Sequence, residues 1–190
     1  DVWGPLGNGF PASPTGRLIM VAGGIGQTPF LALGKFHLGQ QAYGGEVDAR
    51  PLSQRVTLCY GARRAGFMAG LDDFEGAGFD LRLATDDGSR GHHGLVTDLL
   101  EEVLAEQPDA RSPDDRRIVC CGPERMMEAV AEVARQHGVC CHVSLETPMA
   151  CGIGICFTCV AKVREANGEW DYKRTCVEGP VFDAERIVWD

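Results

Sequence analysis

Four cysteines constrain this chain more than any other feature: Cys151, Cys156, Cys159 and Cys176. The first three lie in Met149-Ala-Cys-Gly-Ile-Gly-Ile-Cys-Phe-Thr-Cys159, a Cys-x4-Cys-x2-Cys spacing, and the fourth follows after a gap the size of a hairpin. This is the plant-type ligand spacing for a [2Fe–2S] cluster, in which four thiolates hold two irons. Such a cluster needs soft, anionic ligands converging on one small volume. Gly152 and Gly154, between the first two ligands, let the loop fold tightly and turn backbone N–H groups toward anionic sulfur. Two other uses of the cysteines stay open at this point. A structural zinc site usually pairs two short Cys-x2–4-Cys units, and only Cys156–Cys159 is one. A disulfide pair needs an oxidising compartment.

The remaining cysteines are Cys59, Cys120, Cys121, Cys140 and Cys141. Cys59, Cys120, Cys140 and Cys141 read as buried thiols in a reduced cytosol, packed as small hydrophobes. Cys121 stands apart, at the start of a Cys-Gly-Pro turn. The net charge of -9 argues against nucleic acid and against an anionic membrane as partner. No stretch has the length of a transmembrane helix.

The first 145 residues alternate strand and helix, which predicts a parallel five-stranded sheet, Rossmann-like, with helices on both faces. The strands are expected at Leu18–Ala22, Arg55–Gly61, Phe79–Thr85, from Arg117 to about Cys121, and Val139–Leu145. After the first, Gly23, Gly24 and Gly26 form a tight turn. Thr28 is expected to cap the next helix, which would begin with Pro29 and run roughly to Gln41. A glycine-rich strand-to-helix turn offers free N–H groups and a helix dipole to a phosphate. It lacks the Gly-x-Gly-x-x-Gly fingerprint. A short helix is expected over Phe67–Phe74. Thr97 is expected to cap another from Asp98 to about Glu106, with Leu99, Leu100, Val103 and Leu104 inward. Pro123 suits a helix start, and Met126, Met127, Val130 and Val133 form a stripe read mainly as core. Tyr43–Gln54 and Pro108–Arg117 read as polar loops. His92 and His93 in Asp86-Asp-Gly-Ser-Arg-Gly-His-His-Gly94 carry no metal-ligand spacing.

The last forty or so residues read differently. An alternating strand Phe157–Val163, a polar turn at Glu165–Glu169 and a return strand ending near Cys176 predict a small β module whose folding is linked to its cluster. At the other end, Gly4–Thr15 reads as a linker. The division expected is residues 1–16 linker, 17–146 nucleotide-binding domain and 147–190 cluster domain.

Three motifs thus stand in order: Gly23-Gly-Ile-Gly-Gln-Thr-Pro29, Cys121-Gly-Pro-Glu-Arg-Met126 and the cluster cysteines. The set resembles the ferredoxin–NADP reductase superfamily. Within it, Ser144-Leu-Glu-Thr-Pro-Met-Ala-Cys-Gly-Ile-Gly-Ile-Cys156 and Cys176-Val-Glu-Gly-Pro-Val-Phe182 are similar to electron-transfer subunits of the NAD-dependent dihydroorotate dehydrogenases of bacterial pyrimidine synthesis. So are Gly4-Pro-Leu-Gly-Asn-Gly-Phe10 and Thr85-Asp-Asp-Gly-Ser89. The glycine turn departs mildly, with Gln27-Thr-Pro-Phe where a small residue and Pro-Leu are frequent.

The resemblance implies electron transfer between NAD and a separate FMN-containing catalytic subunit, through a [2Fe–2S] cluster and FAD, in a cytoplasmic heterotetramer. It implies that Gly23, Gly24, Gly26 and Thr28 cradle the NAD pyrophosphate. Cys121, with Gly122, Pro123 and Met126, would lie near the nicotinamide, Asp86 and Gly88 would line the same crevice, and Glu146 and Met149 would face the flavin or the cluster. Cys151, Cys156, Cys159 and Cys176 would be the ligands. Family members begin with an FAD-binding barrel whose motif is missing from this sequence, so the chain is expected to be the NAD-binding and cluster part. Diaphorase-type subunits of cytosolic hydrogenases and anaerobic sulfite reductases share the three motifs. The small subunit of NADH-dependent ferredoxin–NADP oxidoreductase typically has Asp at the first ligand position, where this chain has Cys151. A nucleotide-binding module with a structural zinc is the alternative of another class. Arg63 and Arg64, with no acidic residue at the end of the second strand, leave NAD and NADP both open.

Overall fold

The structure, a computed structural model, describes residues 4, 6–43, 50–106 and 115–189. Parts of the linker and of the two polar loops read from the sequence (1–3, 5, 44–49 and 107–114), and residue 190, lie outside the described residues.

Strand β1 (Arg17–Gly23) is buried along its whole length. Ile19 and Val21 enter one core, and Leu18, Met20 and Ala22 the other, as the two-residue repeat of a strand requires. A strand covered on both faces needs a continuous apolar run, and this one has it. β2 (Arg55–Ala62), β3 (Asp80–Thr85), β5 (Arg116–Cys121) and β6 (Cys140–Ser144) supply the other expected strands, all parallel. The sheet also carries the two-residue β4 (His92–His93), parallel to β3, and β9 (Val181–Asp183), antiparallel to β6. The order is β4-β3-β2-β1-β5-β6-β9.

Four helices fill the crossovers: α1 (Phe30–His37), α2 (Leu71–Gly76), α3 (Val96–Ala105) and α4 (Glu124–Gln136). Phe30 of α1 and Leu71 and Phe74 of α2 pack on one face; α3 and α4 cover the other with Leu99, Leu100, Val103, Met127 and Val130. Several boundaries differ from the sequence reading, for local reasons. Thr28 does not cap α1 through its side chain, because Thr28 and Pro29 are already helically wound behind the 3-10 turn Gly24–Gln27. α1 stops at His37 rather than near Gln41. Gly39 has φ +68°, and the N–H groups of Gln40 and Gly39 return to the carbonyls of Lys35 and Phe36, a Schellman stop. Thr97 is inside α3; Asp98 does the capping instead, its carboxylate accepting the Leu95 N–H at 2.9 Å. The helix expected over Phe67–Phe74 is split into a 3-10 turn (Ala65–Phe67) and α2.

The C-terminal module contains the hairpin β7 (Val160–Arg164) and β8 (Trp170–Arg174), with an irregular loop before it. It does not stand apart. β9 extends the large sheet, Val163, Ala184 and Ile187 join the α3–α4 core, and Val163 bridges Ile187. Residues 7–10 of the expected linker also dock rather than hanging free. Asn8 bonds the 178–181 loop, and the Phe10 ring lies 5.7 Å from that of Phe30. At the N-terminal end of the sheet, buried Arg17 donates to Thr57 Oγ1 (3.0 Å), Glu106 (3.1 Å) and Asp80 (3.4 Å). Arg55 and Arg82 pair with the same two carboxylates.

Candidate functional site

The sheet order reverses direction between β1 and β5, and a doubly wound sheet opens its ligand crevice there, outside the carboxyl ends of the strands. Both glycine turns end at this point. Ala22 and Cys121 are register partners, so Gly23–Gln27 and Gly122–Pro123 leave the sheet side by side. Their approach depends on missing side chains. A Cβ on Gly26 would stand 2.2 Å from the Cys121 carbonyl oxygen, and one on Gly122 would meet Met126 Cε at 2.6 Å and Gly23 N at 2.9 Å. Gly24, with φ +56° and nothing within 4 Å of such a Cβ, faces open space. That is room for a phosphate beside backbone N–H groups.

The structure therefore brings Gly23, Gly24, Gly26, Cys121, Gly122, Pro123 and Met126 together. Thr28 is exposed beside them. Met126 is half-buried across the two turns, whereas Met127 and Val130 are core. Asp86 and Gly88 follow β3, two strands from β1 and so about 10 Å across the sheet edge. Their backbone is fixed, the Asp86 N–H donating to Ala62 O and the Gly88 N–H to Thr85 O, each at 3.1 Å. Arg63 and Arg64 are exposed, with the Arg64 guanidinium over the Phe67 ring at 4.4 Å. His92 pairs with Asp98 at 2.9 Å. Burial raises the Cys121 thiol above its ordinary range, a Ser144 hydrogen bond opposing it and the Glu146 charge adding to it. Cys121 is thus a neutral thiol at pH 7. Cys59, Cys120 and Cys141 are buried as expected, but Cys140 is exposed. Neighbours on a strand point to opposite faces, and α4 covers the face of β6 that takes Cys141.

Glu146 lies just past β6, on the far side of β5. With Gly122, Pro123, Lys162, Tyr172 and Trp189 it lines a cleft of about 580 Å³ between the Gly-Pro turn and the hairpin module. The cysteines lie in that module as two pairs. Cys151 Sγ and Cys156 Sγ are 3.2 Å apart, and so are Cys159 Sγ and Cys176 Sγ. Two thiolates on one tetrahedral metal with bonds of about 2.3 Å stand roughly 3.7 Å apart, so each pair needs only a small opening to hold an ion. No group of three or more metal-binding side chains converges among the described residues. Two pairs fit two sulfide-bridged irons better than one zinc with four ligands. The loop also favours anionic sulfur. Gly152 (φ +67°) and Gly154 (φ +76°) are left-handed, and the Cys156 N–H meets Cys151 Sγ at 3.4 Å. That N–H, then that of Ile153, pulls the Cys151 thiol down to about 6. The Cys176 N–H likewise lowers Cys159, and within this close pair Cys176 is raised in turn by Cys159. The residues fit a [2Fe–2S] cluster. Around the pairs, Met149, Ile153, Ile155, Phe157 and Val177 are exposed.

Two contacts at the site were not legible in the sequence. Arg174 Nη1 donates to the Gly154 carbonyl at 2.8 Å, tying the ligand loop to the segment that carries Cys176. Asn8 grips that segment from the other side. The one sequence-level signal for Asn8 was its place in the Gly4–Phe10 motif.

A crevice for a dinucleotide beside a two-iron thiolate site defines a nucleotide-linked iron–sulfur electron-transfer protein of ferredoxin reductase fold. Comparison with known proteins narrows this. Residues 146–188 match the family described as the iron–sulfur cluster binding domain of dihydroorotate dehydrogenase B. The electron transfer subunit of dihydroorotate dehydrogenase B (NAD(+)) from Caldanaerobacter subterraneus subsp. tengcongensis is 37% identical over 189 residues, covering 100% of this chain and 66% of the relative. That from Bacillus caldolyticus is 38% identical over 191 residues, covering 99% and 65%. A solved structure of NADH-dependent reduced ferredoxin–NADP oxidoreductase superposes with TM-score 0.74 at 30% identity, covering 100% of this chain and 60% of that one. A ferredoxin NADP+ reductase from Neisseria gonorrhoeae shares the fold, with TM-score 0.51 at 20% identity over 67% of this chain and 51% of that one. The chain belongs to the family of dihydroorotate dehydrogenase B electron transfer subunits, within the ferredoxin–NADP reductase superfamily. It spans about two thirds of the length of these curated relatives, 66% and 65%.

Proposed function

We propose that the chain is the NAD-binding and cluster-binding part of a subunit that passes electrons between a flavoenzyme partner and NAD, in the oxidation of dihydroorotate to orotate for pyrimidine biosynthesis. The observation that carries this reading is the two sulfur pairs in a module whose hairpin faces the Gly122–Pro123 turn of the glycine crevice across the Glu146–Lys162 cleft. Cys151 and Cys156 would hold one iron, and Cys159 and Cys176 the other. When bound, the cluster supplies one-electron transfer, and FAD and NAD supply the hydride chemistry. The protein's own part is positional. Gly23, Gly24 and Gly26 present N–H groups to the pyrophosphate, with Thr28 at the mouth. Gly122, Pro123 and Met126 set the floor of the crevice, and Asp86 and Gly88 bound its far end. Cys121 stands beside the nicotinamide position as a neutral thiol, and Glu146 faces the flavin side.

The division this supports is 1–16 connecting segment, 17–146 nucleotide domain and 147–190 cluster domain, with β9 locking the last two together. The rim of Met149, Ile153, Ile155, Phe157 and Val177 is an exposed apolar patch of the kind that marks a protein interface. We assign it to an FMN-containing catalytic subunit, in a cytoplasmic heterotetramer. Likeness to NADH-dependent reduced ferredoxin–NADP oxidoreductase supports a second reading, exchange of electrons with another nicotinamide enzyme. The test is anaerobic addition of dihydroorotate to the chain in complex with an FMN catalytic subunit and FAD, followed by EPR. Appearance of a reduced [2Fe–2S] signal supports the proposal. A cluster that stays oxidised with dihydroorotate but is reduced by NADPH favours the second reading.

A further inference from the structure

The cluster's fourth ligand comes from a short segment without regular structure, between β8 and β9. A ligand there is only as fixed as the loop that carries it. Within the module, Thr175 N–H donates to the Cys159 carbonyl at 2.7 Å, and the N–H groups of Val177 and Glu178 return to the Arg174 carbonyl at 3.1 and 2.8 Å. These bonds shape the turn around Cys176. Its outer side, Glu178–Val181, is held in part by the module and the sheet: the Glu178 carboxylate accepts the Arg174 N–H at 2.9 Å, the Leu145 N–H donates to the Pro180 carbonyl at 2.9 Å, and Val181 opens β9 opposite Ser144.

The backbone groups of Glu178, Gly179 and Val181 that these contacts leave are met from far away in sequence. Asn8 Nδ2 donates to the Val181 carbonyl at 2.8 Å and to the Glu178 carbonyl at 3.2 Å, and Asn8 Oδ1 accepts the Val181 N–H at 2.9 Å. The Asn8 backbone N–H donates to the Gly179 carbonyl at 2.5 Å. Both ends of one carboxamide are in use, and only Asn has a donor and an acceptor at this reach. Gly7 makes the approach possible. It has φ +66°, and a Cβ there would fall 1.9 Å from the Gly179 oxygen and 3.0 Å from the Thr175 oxygen. The Gly7–Asn8 backbone is thus pressed against the residues on both sides of Cys176. On its other side the segment is anchored by the Phe10 ring against Phe30, in the core under the nucleotide turn.

We propose that Asn8 is a positioning residue for the iron–sulfur centre: it clamps the Glu178–Val181 strap and so fixes where Cys176 delivers its sulfur. The proposal rests on the cluster reading given above. Asn8 touches neither sulfur nor nucleotide, and it acts through the loop. Replacing it by Ala removes three hydrogen bonds at once. Asn8→Asp is worse, because a carboxylate oxygen would face two carbonyl oxygens while only the Val181 N–H remains satisfied.

The experiment uses the whole chain, reconstituted anaerobically with iron and sulfide, as wild type, Asn8→Ala, Asn8→Ser and Asn8→Asp. Iron and sulfide content, the EPR spectrum after dithionite, the rate of bleaching by an iron chelator, and NADH affinity are measured on each. All variants are expected to take up two irons. Bleaching should quicken by about tenfold or more in Asn8→Ala, less in Asn8→Ser and more in Asn8→Asp. The g values should move or broaden, with NADH affinity within about twofold of wild type. Bleaching rate and EPR spectrum unchanged in Asn8→Ala would overturn the proposal. So would loss of NADH affinity in step with the cluster, or failure of all three variants to fold, since either means that Asn8 merely supports the whole fold. A wild type that binds NADH but takes up no iron would overturn the cluster reading itself, and this inference with it.

Discussion

The closest backbone approach in the nucleotide crevice is between Gly26 and Cys121, and Gly26→Ala tests what it does. The new Cβ would stand 2.2 Å from the Cys121 oxygen, 2.5 Å from its carbonyl carbon and 2.9 Å from Gly122 N. All three are backbone atoms, so no side chain can swing aside. The turns must separate by about 1 Å to restore ordinary contact, at the point where β1 and β5 are in register through Ala22 and Cys121. Overpacking costs about 1–3 kcal/mol, and a rigid backbone neighbour puts this site near about 3. At roughly 2–4 °C per kcal/mol, Tm should fall by about 6–12 °C. The N–H groups that face the pyrophosphate move with the turn, so NADH affinity should drop by about tenfold or more. Gly24→Ala is the matched control for stability. It meets no atom within 4 Å, and its penalty is the left-handed φ of +56°, about 1–2 kcal/mol, without spreading β1 from β5. Calorimetric melting and NADH fluorescence titration of the full chain read both effects. Gly26→Ala with wild-type affinity, or Gly24→Ala with the larger fall in Tm, would refute the argument.

Three further outcomes are expected. Alanine at Cys151, Cys156, Cys159 or Cys176 should cut bound iron to below about half of wild type by chemical assay, whereas Cys121→Ala should keep the full iron content, because only the first four supply paired thiolates. Asp80→Asn should destabilise the fold by about 3 kcal/mol in urea unfolding, since it leaves Arg17, Arg55 and Arg82 facing Glu106 alone. Burial, against the opposing pull of the Pro11 carbonyl, holds the His37 imidazole below its ordinary 6.5. The unfolded chain therefore binds a proton that the folded chain refuses, and stability should decline as pH falls below about 6.5. His37→Asn, which can keep the bond to Ser53 Oγ, should flatten that part of the stability–pH curve.

The five parallel strands were legible because each carries a short apolar run, continuous in the central β1 and alternating in β3 and β6, with glycine or proline within a few residues of its end. The grouping of the four C-terminal cysteines was legible because Cys-x4-Cys-x2-Cys spacing is itself a geometric statement, and the structure sets them in two pairs. What escaped were pairings that no local pattern encodes. β9 reads as a three-residue tail until it is seen against β6, and Asn8 is a loop residue until Val181 is placed beside it. Arg17 reads as the polar edge of a strand, yet it is buried because Asp80 and Glu106 converge on it from β3 and the end of α3. Caps failed where a second residue competed: Asp98 displaced Thr97, and the helical winding of Thr28 and Pro29 left the Thr28 hydroxyl without a role at the helix start. Cys140 was misread because an adjacent pair on a strand cannot share one core.

The central claim is that the four C-terminal thiolates hold two irons in two pairs beside a nucleotide crevice. Mössbauer spectroscopy of the ⁵⁷Fe-reconstituted chain, with iron, sulfide and zinc determined on the same sample, addresses it most directly. The account predicts two irons and two sulfides per chain, a diamagnetic ferric pair as prepared, and one ferrous and one ferric site after one-electron reduction. A chain that refuses iron and sulfide and instead holds one zinc on the same four cysteines would contradict it.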